Sequence, residues 1–194
     1  MRKIKAIVST TIRVSDQVVD LVNPMALHDE IRENKIRIIE SVLTIENALD
    51  FIIQHYFFEN SSEKTSEFKA LILNSNWCSF AAKRKLTSYI NEKKGFLTGK
   101  DKDKFEKLLY KAMSYRNAFA HGQIEIGKDG ENYKAYLKYF EGGPQEVELD
   151  DNYWEELENN LLECHNLLVK IHKEIRKTIT NQSTGPNSPP LAVP

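Results

Sequence analysis

Between Asp29 and Phe58 the apolar residues Ile38, Val42, Ile45, Leu49, Ile52 and Tyr56 recur every three or four positions, and Ile39, Leu43 and Ile53 widen the line. That stripe predicts a long core helix, punctuated at its end by Asn60, Ser61 and Ser62. Phe68, Leu71 and Ile72, then Phe80, Leu86 and Ile90, predict two shorter helices parted around residues 74–77, and Gly95 and Gly99 mark a loop. A fourth helix begins near Asp101 and runs through Phe105, Leu108, Leu109, Ala112 and Met113 to His121, with Gly122 placed as its C-terminal cap.

Beyond Gly122 the period changes. QIEI, YKAYLKYFE and QEVEL alternate or are rich in β-branched and aromatic residues, and GKDGEN and GGP separate them, so a small β excursion is expected at about 122–150. Helical spacing returns at Tyr153, Leu157, Leu161, Leu162, Leu168, Ile171 and Ile175. The expected fold is mainly α: an antiparallel helical bundle over residues 26–180, with a β hairpin or meander inserted before the last helix. Residues 1–25 read equally as strand or helix, and Pro24 is expected to end either. The tail 181–194, which holds four of the six prolines, is expected to be disordered.

The chain of 194 residues fits one domain, and no apolar run is long enough to span a membrane. Two cysteines, Cys78 and Cys164, are too few for a disulfide framework, and with no secretory signal at the start a cytoplasmic location is expected. The formal net charge of −1 excludes a globally basic nucleic-acid binder, but it hides a division. Residues 83–116 carry eleven basic and four acidic side chains, a balance of +7, whereas residues 141–163 carry nine acids and no base. The basic stretch suits a phosphate backbone, with Lys104, Lys107 and Lys111 as expected RNA contacts; a solvated helix face with Lys beside Asp and Glu explains the charge equally well.

Several sites fail on spacing. Gly95-Phe-Leu-Thr-Gly99-Lys100 is one residue short of a phosphate loop, with Asp101 where the magnesium-binding hydroxyl belongs. His165 and His172 share a helical face but stand about 10.5 Å apart along it, too far to chelate one ion. No zinc spacing and no nucleophile elbow is present, so no metal or cofactor is expected.

Tyr115-Arg116-Asn117-Ala118-Phe119-Ala120-His121-Gly122 is different. It places a permanent cation, an amide and an imidazole within six residues, with Ala, Phe and Ala between them able to face a core. Arginine presents a planar fork of donors to phosphate oxygens, and histidine exchanges a proton near neutral pH. Asn117 and His121, four apart, share a face on which the amide could orient the ring. The plain alternative puts Arg116 in a salt bridge and leaves His121 capping the helix.

Arg116-Asn117-x-x-x-His121 before Gly122, in a helical setting, resembles the Arg-x4-6-His motif of HEPN domains (higher eukaryotes and prokaryotes nucleotide-binding). The resemblance covers roughly residues 30–178. It implies a bundle that dimerises with two motifs facing each other, and a metal-independent endoribonuclease of toxin or defence type. Arg116 and His121 would then be catalytic and Asn117 supporting; Glu46 is a further acid the resemblance brings forward, although an exposed helix glutamate is the simpler reading. An antitoxin or nucleotidyltransferase partner is implied too. Family members that are adenylylated carry a tyrosine two residues after the histidine, where this chain has Gln123. A non-catalytic bundle that binds a nucleotide, or docks a partner through its acidic segment, is the rival expectation.

Overall fold

Pro24 opens helix α1 (Pro24–Phe58). At the first helical position its missing N–H is one that would have had no partner in any case, and its fixed φ already suits a helix. The computed structural model describes residues 24–58, 62–130 and 132–183. The strand-or-helix question for the start of the chain, the punctuation at 60–61 and the tail from 184 onward lie outside them.

Ile38, Val42, Ile45, Leu49, Ile52 and Ile53 are all buried, so α1 is the central member of the bundle. Leu43 is 45% exposed, which makes the buried stripe narrower on that side than the sequence pattern implies. Helix α2 (Ser62–Phe68) passes directly into a π-helical turn, Lys69–Leu73, closed by Asn74 N–H donating to the Lys69 carbonyl at 2.9 Å. Helix α3 (Phe80–Lys94) starts at Ser79, whose hydroxyl accepts from Ala82 N–H, and stops at Gly95 in the left-handed conformation, φ 68°. The following loop is held by the buried Asn91, which donates to the Leu97 carbonyl and accepts from the Leu97 N–H. That clasp sets the direction of helix α4 (Gly99–His121).

The β excursion is a three-stranded antiparallel meander: β1 (Gln123–Asp129), β2 (Asn132–Phe140) and β3 (Pro144–Glu148), in that order. β1 runs on through Gly127, Lys128 and Asp129, which the sequence assigns to the turn. Ile124 opposite Leu137, Ile126 opposite Ala135 and Leu137 opposite Val147 give the sheet one apolar face. On the other face Lys138 lies between Glu125 and Glu146, and Lys134 between Asp129 and Glu148.

Helix α5 (Asp151–Ser183) returns along α4. Asp101 meets Lys170, Lys104 meets Glu163 and Lys111 meets Glu156, so partners on α5 fall in number as those on α4 rise, and the two helices are antiparallel. Trp154, fully buried on α5, stacks on Phe119 of α4 with ring centroids 5.7 Å apart. The result is the mainly α bundle with a small sheet before its last helix.

Gly122 links α4 to the sheet through shape. Its φ of −76° and ψ of 159° are open to any residue, but a Cβ there would sit on the Ala118 carbonyl oxygen and 2.9 Å from both Leu137 Cδ1 and the Lys138 carbonyl oxygen. Two of those three neighbours are backbone and cannot yield. Gly122→Ala is therefore expected to lose about 1–3 kcal/mol of stability in denaturant unfolding, the range for forcing extra volume into a packed site. An unchanged midpoint would show that β1 and β2 can shift away from the helix end.

Candidate active site

The last two turns of α4 are oriented by anchors on the core side. Phe119 lies against Trp154, Ala112 and Ala118 are buried, and the half-buried Tyr115 hydroxyl accepts from the Asn160 side chain of α5 at 2.8 Å, while burial raises its phenol pKa. Ala120, expected with Ala118 and Phe119 to face the core, is exposed. At about 100° per residue, three consecutive positions sweep too wide an arc for one face.

These anchors leave Arg116 half-buried and Asn117 and His121 exposed. Among the described residues none of the three side chains makes a hydrogen bond or an ion pair. Arg116 has no carboxylate partner, and His121 does not close the helix, because Gly122 N–H donates to the Ala118 carbonyl at 2.7 Å in that role. No bond joins Asn117 to His121. Five residues at about 100° each place Arg116 and His121 roughly 140° apart around the helix.

Two of the three expected RNA contacts in the basic stretch are already paired. Lys104 is 2.7 Å from Glu163 and Lys111 is 2.8 Å from Glu156. That second pair holds the Lys111 ammonium above and the Glu156 carboxyl below their ordinary pKa values, in both cases chiefly through the hydrogen bond between them. Lys107, the third expected contact, is exposed and pairs with no acid among the described residues.

Glu46 is not the exposed glutamate of the simpler reading. Its carboxylate lies 2.8 Å from the ammonium of Lys83, whose side chain is 5% accessible and also lies 2.9 Å from Asp50. Burial raises the Asp50 pKa, with the Glu46 charge adding to it. For Lys83 burial acts the other way, but the hydrogen bonds and charges of the two acids outweigh it and hold the ammonium protonated. The cluster ties α1 to α3.

The sequence reading missed Tyr110, Ser114 and Glu141. Glu141 leaves the β2–β3 turn to accept from the Tyr110 and Ser114 hydroxyls of α4, and the Arg84 guanidinium lies 5.4 Å from the Tyr110 ring centroid. The signal was present in α4 as Tyr110, Ser114, Asn117 and His121 at four-, three- and four-residue steps.

Among the described residues no three His, Cys, Asp or Glu side chains are grouped to hold a metal. His165 and His172 both have pKa values lowered by burial, His172 meets Phe51 edge-on, and the Cys164 thiol is pushed up to about 12 by burial; all three are packing residues. The Gly95–Lys100 stretch joins two helices, whereas a phosphate loop follows a strand. It borders an open cleft of about 280 Å³ whose Lys170 and Lys177 pair with Asp101 and Glu174. No protein-family model, no curated protein and no solved structure matches the chain.

Proposed function

We propose that this protein is a metal-independent endoribonuclease of the HEPN type, acting as a homodimer, with Arg116 and His121 catalytic and Asn117 supporting. The observation that carries the proposal is the absence of partners for these side chains among the described residues. A half-buried guanidinium is normally paired, because burying a charge without compensation is costly. Among the described residues nothing occupies Arg116, which leaves it open to an external anion, and His121 makes no structural contact.

Cleavage without a metal needs a base to take the ribose 2′-hydroxyl proton, an acid to protonate the leaving 5′-oxygen, and positive charge on the phosphate. His121 performs the proton transfers and Arg116 stabilises the crowded phosphate. The 140° between them argues for two copies, the histidine of one facing the arginine of the other across a shared cleft. In a toxin or defence setting an antitoxin or nucleotidyltransferase partner would have to act other than through a tyrosine at position 123. Docking through the acidic segment is less well supported, because Glu156 and Glu163 are already engaged by α4.

Purified protein incubated with RNA in EDTA tests the proposal. Cleavage should persist, the 5′ fragment should end in a 2′,3′-cyclic phosphate, and DNA of the same sequence should stay intact. A requirement for added Mg²⁺ would overturn the mechanism. Lys107→Ala should weaken RNA binding and lower the salt dependence by about one counterion, with stability unchanged. An unaltered salt slope in a binding titration would take Lys107 off the RNA path.

A further inference from the structure

On the outer side of α4, Tyr110, Ser114, Asn117 and His121 fall within an arc of about 60° and a length of about 16 Å. At the Tyr110 end of this stripe the Glu141 side chain is fixed through a single oxygen. Oε1 accepts from the Tyr110 hydroxyl at 2.9 Å and from the Ser114 hydroxyl as well, so both of its lone pairs are taken. Oε2 accepts from no group among the described residues, and it is not sealed from solvent. The Arg84 guanidinium, over the same tyrosine ring, likewise pairs with no carboxylate among the described residues. One ring thus holds an unpaired cation and an open carboxylate oxygen apart from each other.

A ligand suited to this arrangement carries an anion and an N–H edge a short distance apart, as a nucleotide does. We propose that Arg84, Tyr110 and Glu141 form a base-reading subsite that selects guanine in an RNA strand running along α4 toward His121. Glu141 Oε2 accepts the guanine N1–H and N2–H, and Arg84 meets a neighbouring phosphate. Guanine fits best because its Watson–Crick edge sets two N–H donors side by side. Adenine and cytosine put an acceptor next to their amine, and uracil flanks its one N–H with two carbonyls. The inference rests on the ribonuclease reading for its ligand and on other residues for its geometry.

Glu141→Gln separates reading from scaffolding. Its amide oxygen still accepts from Tyr110 and Ser114, while an NH₂ replaces the open oxygen and turns the acceptor into a donor. The substrates are end-labelled oligouridylates carrying one G, A or C at successive positions. Wild type should favour a G placed one to three nucleotides from the cut by roughly tenfold. Glu141→Gln should lose that preference with its melting temperature kept. The same oligonucleotides are bound to His121→Ala and to the double variant, read by fluorescence anisotropy.

A guanine preference in binding that Glu141→Gln removes supports the subsite even where no RNA is cut, which would sink the ribonuclease reading alone. A base preference that is absent, or that survives Glu141→Gln, overturns the subsite; where RNA is cut all the same, the ribonuclease reading stands. No binding of any single-stranded RNA overturns both.

Discussion

His121→Ala is expected to lower RNA cleavage by roughly 100- to 10,000-fold, the usual contribution of a positioned proton-transfer group. The loss should not be one of folding, because an exposed side chain with no partner changes stability by at most about 0.5 kcal/mol when truncated. Arg116→Ala should be comparably inactive. Mixing the two variants then probes the shared cleft. If each site takes its arginine from one copy and its histidine from the other, mixed dimers contain one intact site and activity reappears. Mixtures as inactive as either parent would place both groups on a single copy. Equal cleavage by wild type and His121→Ala across varied RNAs would remove the enzyme reading altogether.

The largest effect on stability is expected from Lys83→Met. The substitution keeps the volume and removes the one cation between two carboxylates, and breaking a buried pair from one side costs about 3–5 kcal/mol. The pH dependence carries its own sign. A carboxyl whose pKa is higher folded than unfolded contributes stability at low pH that is lost as pH rises through the raised value. Burial has already raised Asp50, and removing Lys83 takes away the hydrogen bond and the charge that oppose that rise. The deficit should therefore be greatest near neutral pH and shrink as pH falls through the carboxylate range. A deficit independent of pH in denaturant titrations would mean that lost packing, not stranded charge, is the cause.

The helices and the sheet were legible because each writes its period into the sequence. The stripe of Ile38, Val42, Ile45 and Leu49 stands at helical spacing, and QIEI against YKAYLKYF alternates at spacing two. Boundaries were less legible where a residue suits two states, as with Pro24, which ends one element as readily as it begins another. The site was legible only as a string. Which lysines are free depends on contacts such as Lys104 to Glu163, 59 positions apart, which no local pattern encodes. Glu141 was invisible for the same reason: only the meander's docking on α4 brings it to Tyr110 and Ser114. Gly122 was picked out correctly as a cap, but its need for a missing side chain arises from the Ala118 carbonyl together with strand β2, which no local pattern shows.

The facing charges of α4 and α5 also bear on kinetics. When lysines and carboxylates meet across a helix pair, their field closes over a few ångströms and little of it reaches beyond a Debye length. A polyanion approaching this surface is not drawn in from afar, so encounter should proceed near the unsteered rate of about 10⁵–10⁶ M⁻¹s⁻¹ and slow only slightly with added salt. Dwell time, set by the unpaired cations that a strand finds on arrival, would then decide which RNA molecules are selected.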